Sequence, residues 1–512
     1  MTLVDWCVVV FYLACVIAIG RYFARRQQNT GDYFLGGGRM PWLAVAFSMM
    51  ASLASTVGYL GTPGEVIKNG VGMFVSSLAI PLSLPILLLV ILPFYKRAYQ
   101  REGVTTCFEL LRQRYGASTH LLGVVIWAYM QTAFLGLVLL LASRLVSDMT
   151  DIPDIVVIIV IGLASVLYTS AGGMKSVVWT DVMQFAMLFL GAVVTVGVVA
   201  AKTGTGVATW WHEVSGQTHE LPPLFSLDLA TRHTVFGTLL FGFVVQVAYA
   251  SSEQVVVQRF GATRRVVAMM LTNYGVGVLF SVLQFAVGAS LLVFYLRTPG
   301  TLPEGIALPT DPAFADQAFP HFIVHYMPIG MTGIVIAALL GAAQSTVDSG
   351  VNSMAAVISK DVLPFFGRDN SAGDELQTAR WSTKLVGVGV IVMALVAENV
   401  PASNNIIDIA QKVVHLGLGP LGALFLVTML TKRVGTVAAN IALLSGFCVA
   451  IFFAFHEALL SKTVLSPLLI IPVSFIVTLV LMIIPVSFIV TLVLTPSLGW
   501  VYRAQPVNGK RD

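Results

Sequence analysis

The residues best suited to chemistry lie at 341–349, Gly-Ala-Ala-Gln-Ser-Thr-Val-Asp-Ser, inside a run otherwise apolar enough to span a bilayer. Hydroxyls, an amide and a carboxylate stand there where hydrocarbon is expected. On a helix, Ala342, Ser345, Thr346 and Ser349 recur at three- and four-residue steps and share one face. Polar groups at membrane depth are costly, face the protein interior and mark ion or substrate paths. Hydroxyl oxygens beside a carboxylate suit a small, hard cation such as sodium. Small hydroxylated residues also allow close helix packing and hydrogen bonds across an interface. Four oxygen-bearing side chains between Ser345 and Ser349 favour an ion site over packing alone.

The elements that must position these groups are membrane-spanning helices. Of 512 residues 57% are hydrophobic and 11% charged, whereas about a quarter of a soluble domain is charged. The composition therefore predicts an all-α, multispanning membrane protein in contact with the lipid bilayer. Apolar runs long enough to span fall at 3–22, 41–62, 72–94, 118–146, 154–171, 177–201, 233–257, 266–296, 327–358, 385–401, 404–431, 435–455 and 464–494, about thirteen helices. With the N-terminus outside, 22 of the 29 Lys and Arg residues fall in alternate, cytoplasmic loops, Arg259 among them, and six fall outside. That asymmetry predicts N-out, C-in topology. The positive net charge does not point to nucleic acid, because the basic residues sit in short loops. Cys7, Cys15, Cys107 and Cys448 are scattered in or beside apolar runs and read as packing residues. Asp5 precedes the first apolar run and arginines follow it, the reverse of a secretory signal.

The chain reads as one transport domain over 1–512. An extra N-terminal helix and loop occupy 1–40, a core spans 41–433, and C-terminal helices with a tail fill 434–512. Within the last segment, Ile470–Leu481 recurs identically as Ile483–Leu494, which predicts an overlong helix bent near Pro485. The loops 202–232 and 298–326 read as external caps. The second run carries small, polar and Gly/Pro residues from Ala51 to Gly64, and the seventh is polar from Gln246 to Glu253. Such segments weaken a continuous helix. An offset of five spans is what a five-plus-five inverted repeat with helices broken at mid-membrane requires. Carbonyls freed at Ala51 and Ala54 would then complete a cation shell with Ser345 and Thr346. Asp181 reads as an interfacial residue or a second cation ligand, and Asp348 as a ligand or proton acceptor. Asp408 and Lys412, four apart on one helix, read as a mutually neutralised pair, and His415 as a packed imidazole.

Several motifs resemble the sodium–solute symporter family, which includes sodium/glucose, sodium/proline and sodium/sialic acid transporters. They are Asp32-Tyr-Phe-Leu-Gly-Gly-Gly-Arg39, the run from Gly172 to Gln184, Val256-Val-Gln-Arg259 and Ala343-Gln-Ser-Thr346. The resemblance covers nearly the whole chain in order and spacing. It implies a leucine-transporter-like five-plus-five inverted repeat preceded by one extra N-terminal helix. It also implies a sodium site formed by Ala51, Ala54, Ala342, Ser345 and Thr346, and a possible second ion site at Asp181, Ser345, Asp348 and Ser349. Asp348 departs from the hydroxyl residue of sialic acid transporters. Candidate substrate contacts are Leu53, Ser55, Thr56, Gly58, Ser77, Phe134, Gln246, Tyr249, Glu253 and Gln411. Phe134 and Ala250 depart from the sialic acid and sugar patterns, so the solute class stays open among amino acid, carboxylate, sugar and vitamin.

The expected function is sodium-coupled secondary active symport of a small organic solute across a plasma membrane, a bacterial inner membrane in the simplest case. Na+ is the coupling ion, no other cofactor is implied and no obligate protein partner is evident. Proton coupling through Asp348 or Asp181 is the alternative. No His, Cys or Glu spacing offers an enzyme's nucleophile and base or metal set. The stretch after the last span is too short for a signalling kinase, and a passive channel would not need paired broken helices.

Overall fold

The computed structural model describes residues 1–25, 27–70, 75, 77–99, 103–150, 152–216, 234–367, 374–399, 416–460 and 464–483. Those residues are helical or loop, with no strand among them. The helices used below are α1 (Leu3–Ala24), α2 (Trp42–Leu53), α3 (Thr56–Asn69), α4 (Ala79–Arg97), α5 (Ala117–Thr150), α6 (Asp154–Thr203) and α7 (Val235–Ser252). They continue with α8 (Gln254–Ala262), α9 (Val266–Arg297), α10 (Met331–Val357), α11 (Glu375–Glu398), α12 (Leu418–Leu430), α13 (Thr436–Leu460) and α14 (Ile470–Ile483).

Among the described residues nine helical stretches are long and apolar enough to cross a membrane, ten if the bent pair α2–α3 counts as one span. Of the expected thirteen, the runs at 404–431 and 464–494 lie partly outside the described residues. Two of the expected runs merge into α6, whose 50 residues at 1.5 Å each would far exceed a 30 Å hydrocarbon slab. The chain resolves this at Gly173, with φ 54° and ψ −153° in the middle of the element. Only glycine adopts that conformation without strain, and a Cβ there would lie 2.6 Å from the Tyr33 carbonyl oxygen. α12 has only 13 residues; the expected Asp408, Gln411, Lys412 and His415 before it lie outside the described residues. The second copy of the repeat, past Ile483, lies outside them too.

The most enclosed helix is α10. Of its most apolar 18-residue window 94% is buried, against 28% for α1 and 33% for α13. It packs chiefly on α6, and also on α5, α1, α11 and α2. A helix surrounded by protein on all sides can carry polar side chains, because none need face lipid. The C-terminal helices α12, α13 and α14 pack on one another, and α12 rests on α7. Between α9 and α10 the segment 298–326 forms short helices that close over α3, where Lys68 pairs with Asp316 and Glu65, each at 2.9 Å.

Gly173→Ala forces both a strained backbone and a clash. The expected loss is about 1–3 kcal/mol or more, read as a lowered unfolding temperature of the purified protein. An unchanged temperature would show that the kink relaxes freely.

Candidate functional site

Two helices break where the sequence pattern expects it. α2 ends at Leu53; Ala54 (φ −81°, ψ 64°) and Ser55 (φ −65°, ψ 165°) leave helical geometry, and α3 departs at 60°. Ser55 caps α3 by accepting from the Gly58 N–H at 3.4 Å. The break frees the carbonyls of the last turn of α2 from the helical ladder. α7 ends at Ser252, and Glu253 (φ −81°, ψ 112°) starts α8 with its carboxylate accepting from the Val255 N–H at 3.4 Å. A carboxylate at a helix N-terminus faces the positive end of the helix dipole. The Trp127 indole N–H on α5 also donates to both Glu253 oxygens, at 3.1 and 3.2 Å.

The hydroxyl stripe of α10 meets the freed carbonyls of α2. Ser345 donates to the carbonyls of Ala51 at 3.0 Å and Ala342 at 3.1 Å. Thr346 donates to those of Ala342 at 3.0 Å and Ser52 at 3.3 Å. Ser345, Thr346, Ala51, Ala54 and Ala342 are all buried. Hydroxyls and carbonyls from two helices thus converge on one small, protein-enclosed locus, the donor chemistry that a hard monovalent cation takes. Ser52, absent from the expected set, joins it through its carbonyl.

Within the expected second set, Asp348 and Ser349 take different hydrogen-bond partners. On α10, Asp348 lies about 100° around the helix from Ser349, and the two face different neighbours. Asp348 accepts a hydrogen bond from Tyr168 in the first half of α6. Beside it, Tyr12 of α1 donates to the Gln344 side-chain oxygen at 2.6 Å. Ser349 instead faces Asp181, to which it donates at 3.3 Å, along with Ser48 at 2.6 Å and Ser52 at 3.3 Å. Ser345 contacts neither carboxylate by hydrogen bond; it serves the Ala51 locus.

Arg259 is the largest departure. The charge pattern counts it as a loop cation, but α8 carries it into the interior, where 1% of it is exposed. Its Nη2 donates to Asp181 Oδ2 at 3.0 Å, forming an ion pair with both partners buried. No local signal in the sequence marks it, since its partners Ser48 and Asp181 lie far away in the chain.

Three cavities surround the break in α2, and Leu53 lines all of them. Of the expected substrate contacts, Phe134, Tyr249 and Glu253 line the first, Gln246 and Tyr249 the second, Gly58 and Ser77 the third. Ser55 and Thr56 line none of these and are buried, Ser55 being used as the helix cap. Gln131, Asn273 and Gln284 line the cavities and escaped the sequence reading. Each is an amide inside an apolar run, the same signal that marked the α10 stripe.

A family model for the sodium:solute symporter family matches residues 33–446. The chain belongs to that family. It is therefore an integral membrane protein, in line with its many apolar helices. Similar proteins include the sodium/sialic acid symporter NanT of Aliivibrio fischeri, 27% identical over 439 residues that cover 85% of this chain and 83% of the relative. The sodium-dependent multivitamin transporter of Oryctolagus cuniculus is 28% identical over 463 residues, 88% of this chain and 70% of the relative. In three dimensions this symporter-family chain resembles a sodium-coupled sialic acid symporter solved in a substrate-bound outward-open state. The TM-score is 0.83 at 23% identity, covering 94% of this chain and 97% of the other. That likeness establishes the fold.

Trp127→Phe removes the indole donor from a buried carboxylate. The expected cost is about 1–3 kcal/mol of stability, measured by thermal unfolding. Glu253→Gln in the same background should recover part of it, since a neutral amide is cheaper to leave with one partner fewer.

Proposed function

We propose that this protein is a sodium-coupled symporter that imports a small organic solute by alternating access. The observation that carries the reading is the convergence of Ser345 and Thr346 on the freed carbonyls of α2, next to cavities that share Leu53. Sodium bound among Ala51, Ala54, Ala342, Ser345 and Thr346 would replace the hydrogen bonds that now join α2 to α10. Ion binding thereby sets the position of the α2 break, and Leu53 at that break lines the solute space. This is a coupling of two binding free energies through one structural element.

Amides, a hydroxyl and aromatic rings (Gln131, Gln246, Asn273, Gln284, Ser77, Phe134 and Tyr249) punctuate a solute space otherwise lined largely by aliphatic and Met side chains. No Lys or Arg lines these three cavities among the described residues. Glu253 is already committed to Trp127 and to the start of α8. Such a lining suits a polar, hydrogen-bonding solute with an apolar face, within the range of amino acids, carboxylates, sugars and vitamins. The topology read from the charge pattern, N-terminus outside and C-terminus cytoplasmic, and the inverted repeat after an extra first helix, belong to the same proposal, as does residence in a plasma membrane.

Reconstitution in liposomes and a screen of labelled metabolite pools, with and without an inward sodium gradient, tests it. Sodium-driven accumulation is the expected result and names the solute at once. Accumulation driven equally by a proton gradient alone would move the coupling to Asp348 and Asp181. For a Ser345→Ala, Thr346→Ala double variant, half-saturating sodium should rise roughly tenfold or more, about 1.4 kcal/mol. An unchanged sodium requirement would remove these hydroxyls from the site.

A further inference from the structure

We propose that His321 and His325 form a binding site for a divalent transition-metal ion such as zinc, and that the bound ion staples the cap helix lying over α3. The inference goes beyond the symport reading and does not rest on the solute or the coupling ion. It concerns the helix Ala318–His325, in the segment between α9 and α10. One face of that helix is fixed by apolar packing. Ala318, Phe319, Phe322 and Ile323 are buried, and the Phe319 ring packs on Tyr59 of α3 with centroids 5.7 Å apart. The two histidines are four positions apart, so they stand one turn above the other on the adjoining face. Their ring centroids are 4.6 Å apart, and His325 is exposed.

Tyr295 of α9 decides which nitrogen of His321 is free. Its hydroxyl lies 3.1 Å from the Ala318 carbonyl oxygen and 2.9 Å from His321 Nδ1. A carbonyl only accepts, and a tyrosine has a single hydroxyl hydrogen. Both bonds form together when that hydrogen goes to Ala318 and His321 Nδ1–H donates to the tyrosine oxygen. The lone pair of His321 is then on Nε2, available to a ligand. Metal-bound histidines have this outer arrangement, the second ring nitrogen donating to a fixed oxygen. Two histidines four apart on one helix face are also a recurring zinc pair. Zinc–nitrogen bonds are about 2.0–2.1 Å long, so two rings sharing one ion must lie close, as these do. Among the described residues no third His, Cys, Asp or Glu completes a group with them, so water supplies the rest of the shell. Imidazole ligands then set the preference, Cu2+, Ni2+ and Zn2+ over Mg2+ or Ca2+. The ion closes a link from 321 to 325 beside the last rung of the helix, Tyr326 N–H to the Phe322 carbonyl at 2.9 Å. With eight residues the helix is too short to be stable by itself, so such a link stiffens it where it is weakest.

The test is calorimetric titration of the full-length protein in nanodiscs with zinc chloride, paired with hydrogen exchange of the peptide 318–328. The wild type is expected to bind zinc in preference to Mg2+, and exchange across 318–328 to slow when zinc is bound. His325→Gln, at an exposed position that leaves the packing intact, is expected to weaken zinc binding roughly tenfold or more and to abolish the slowing. His321→Gln should do the same. His212→Gln, which removes an exposed histidine elsewhere, should change neither. No zinc binding to the wild type would overturn the proposal, as would equal affinity in His325→Gln or equal binding of Mg2+. Zinc binding that requires His325 but leaves exchange across 318–328 unchanged would overturn the staple. Neither readout uses sodium or a solute, so a failure of the symport reading would leave these outcomes unaltered.

Discussion

A helix broken inside a bilayer must find partners within the protein for the backbone groups it frees, and two such breaks organise this molecule. At the first, Ser55 caps the outgoing half, and Ser345 and Thr346 take up the carbonyls of Ala51 and Ser52. At the second, Glu253 starts the outgoing half and is held in turn by Trp127. Each break is thus stitched to a continuous helix, the first to α10 and the second to α5. The groups that stabilise the breaks also line or adjoin the cavities. Structure and binding therefore draw on the same few atoms.

The enclosure of α10 makes this possible. Its side chains divide by face: Ser345, Thr346 and Ser349 turn toward α2, while Gln344 and Asp348 turn toward α1 and α6. The hydroxyls bond both across the interface and back to the helix's own Ala342 carbonyl. A neutral hydrogen bond of this kind contributes only about 0.5–1.5 kcal/mol net. Two or three of them together hold α2 against α10.

The α10 stripe, both helix breaks and seven of the cavity-lining positions, Leu53, Gly58, Ser77, Phe134, Gln246, Tyr249 and Glu253, were legible in the sequence because each is a local signal. Polar residues interrupt an apolar run, or small residues recur with helical period. Arg259 was not legible, because its partners Ser48 and Asp181 lie 211 and 78 positions away. Charge counting had every reason to place it in a loop. Helical periodicity put Asp348 near the hydroxyls but did not say that its neighbour would be Tyr168. The two spans expected at 154–171 and 177–201 meet within α6. Hydropathy sees two apolar runs on either side of Gly172-Gly173, while the backbone turns at a single glycine without losing its helical assignment.

The three buried carboxylates near the site, Asp181, Glu253 and Asp348, show how differently one medium can accommodate a negative charge. Asp181 has a full positive charge beside it. Glu253 has an indole N–H and the start of a helix. Asp348 has the Tyr168 hydroxyl. An ion pair stripped of water contributes little net stability, yet removing one member leaves the other at high cost. The Asp181–Arg259 pair is therefore better understood as fixing charge than as holding the fold together. It keeps the interior near neutrality where α2, α6, α8 and α10 meet, so these four helices pack there without a bare carboxylate charge among them.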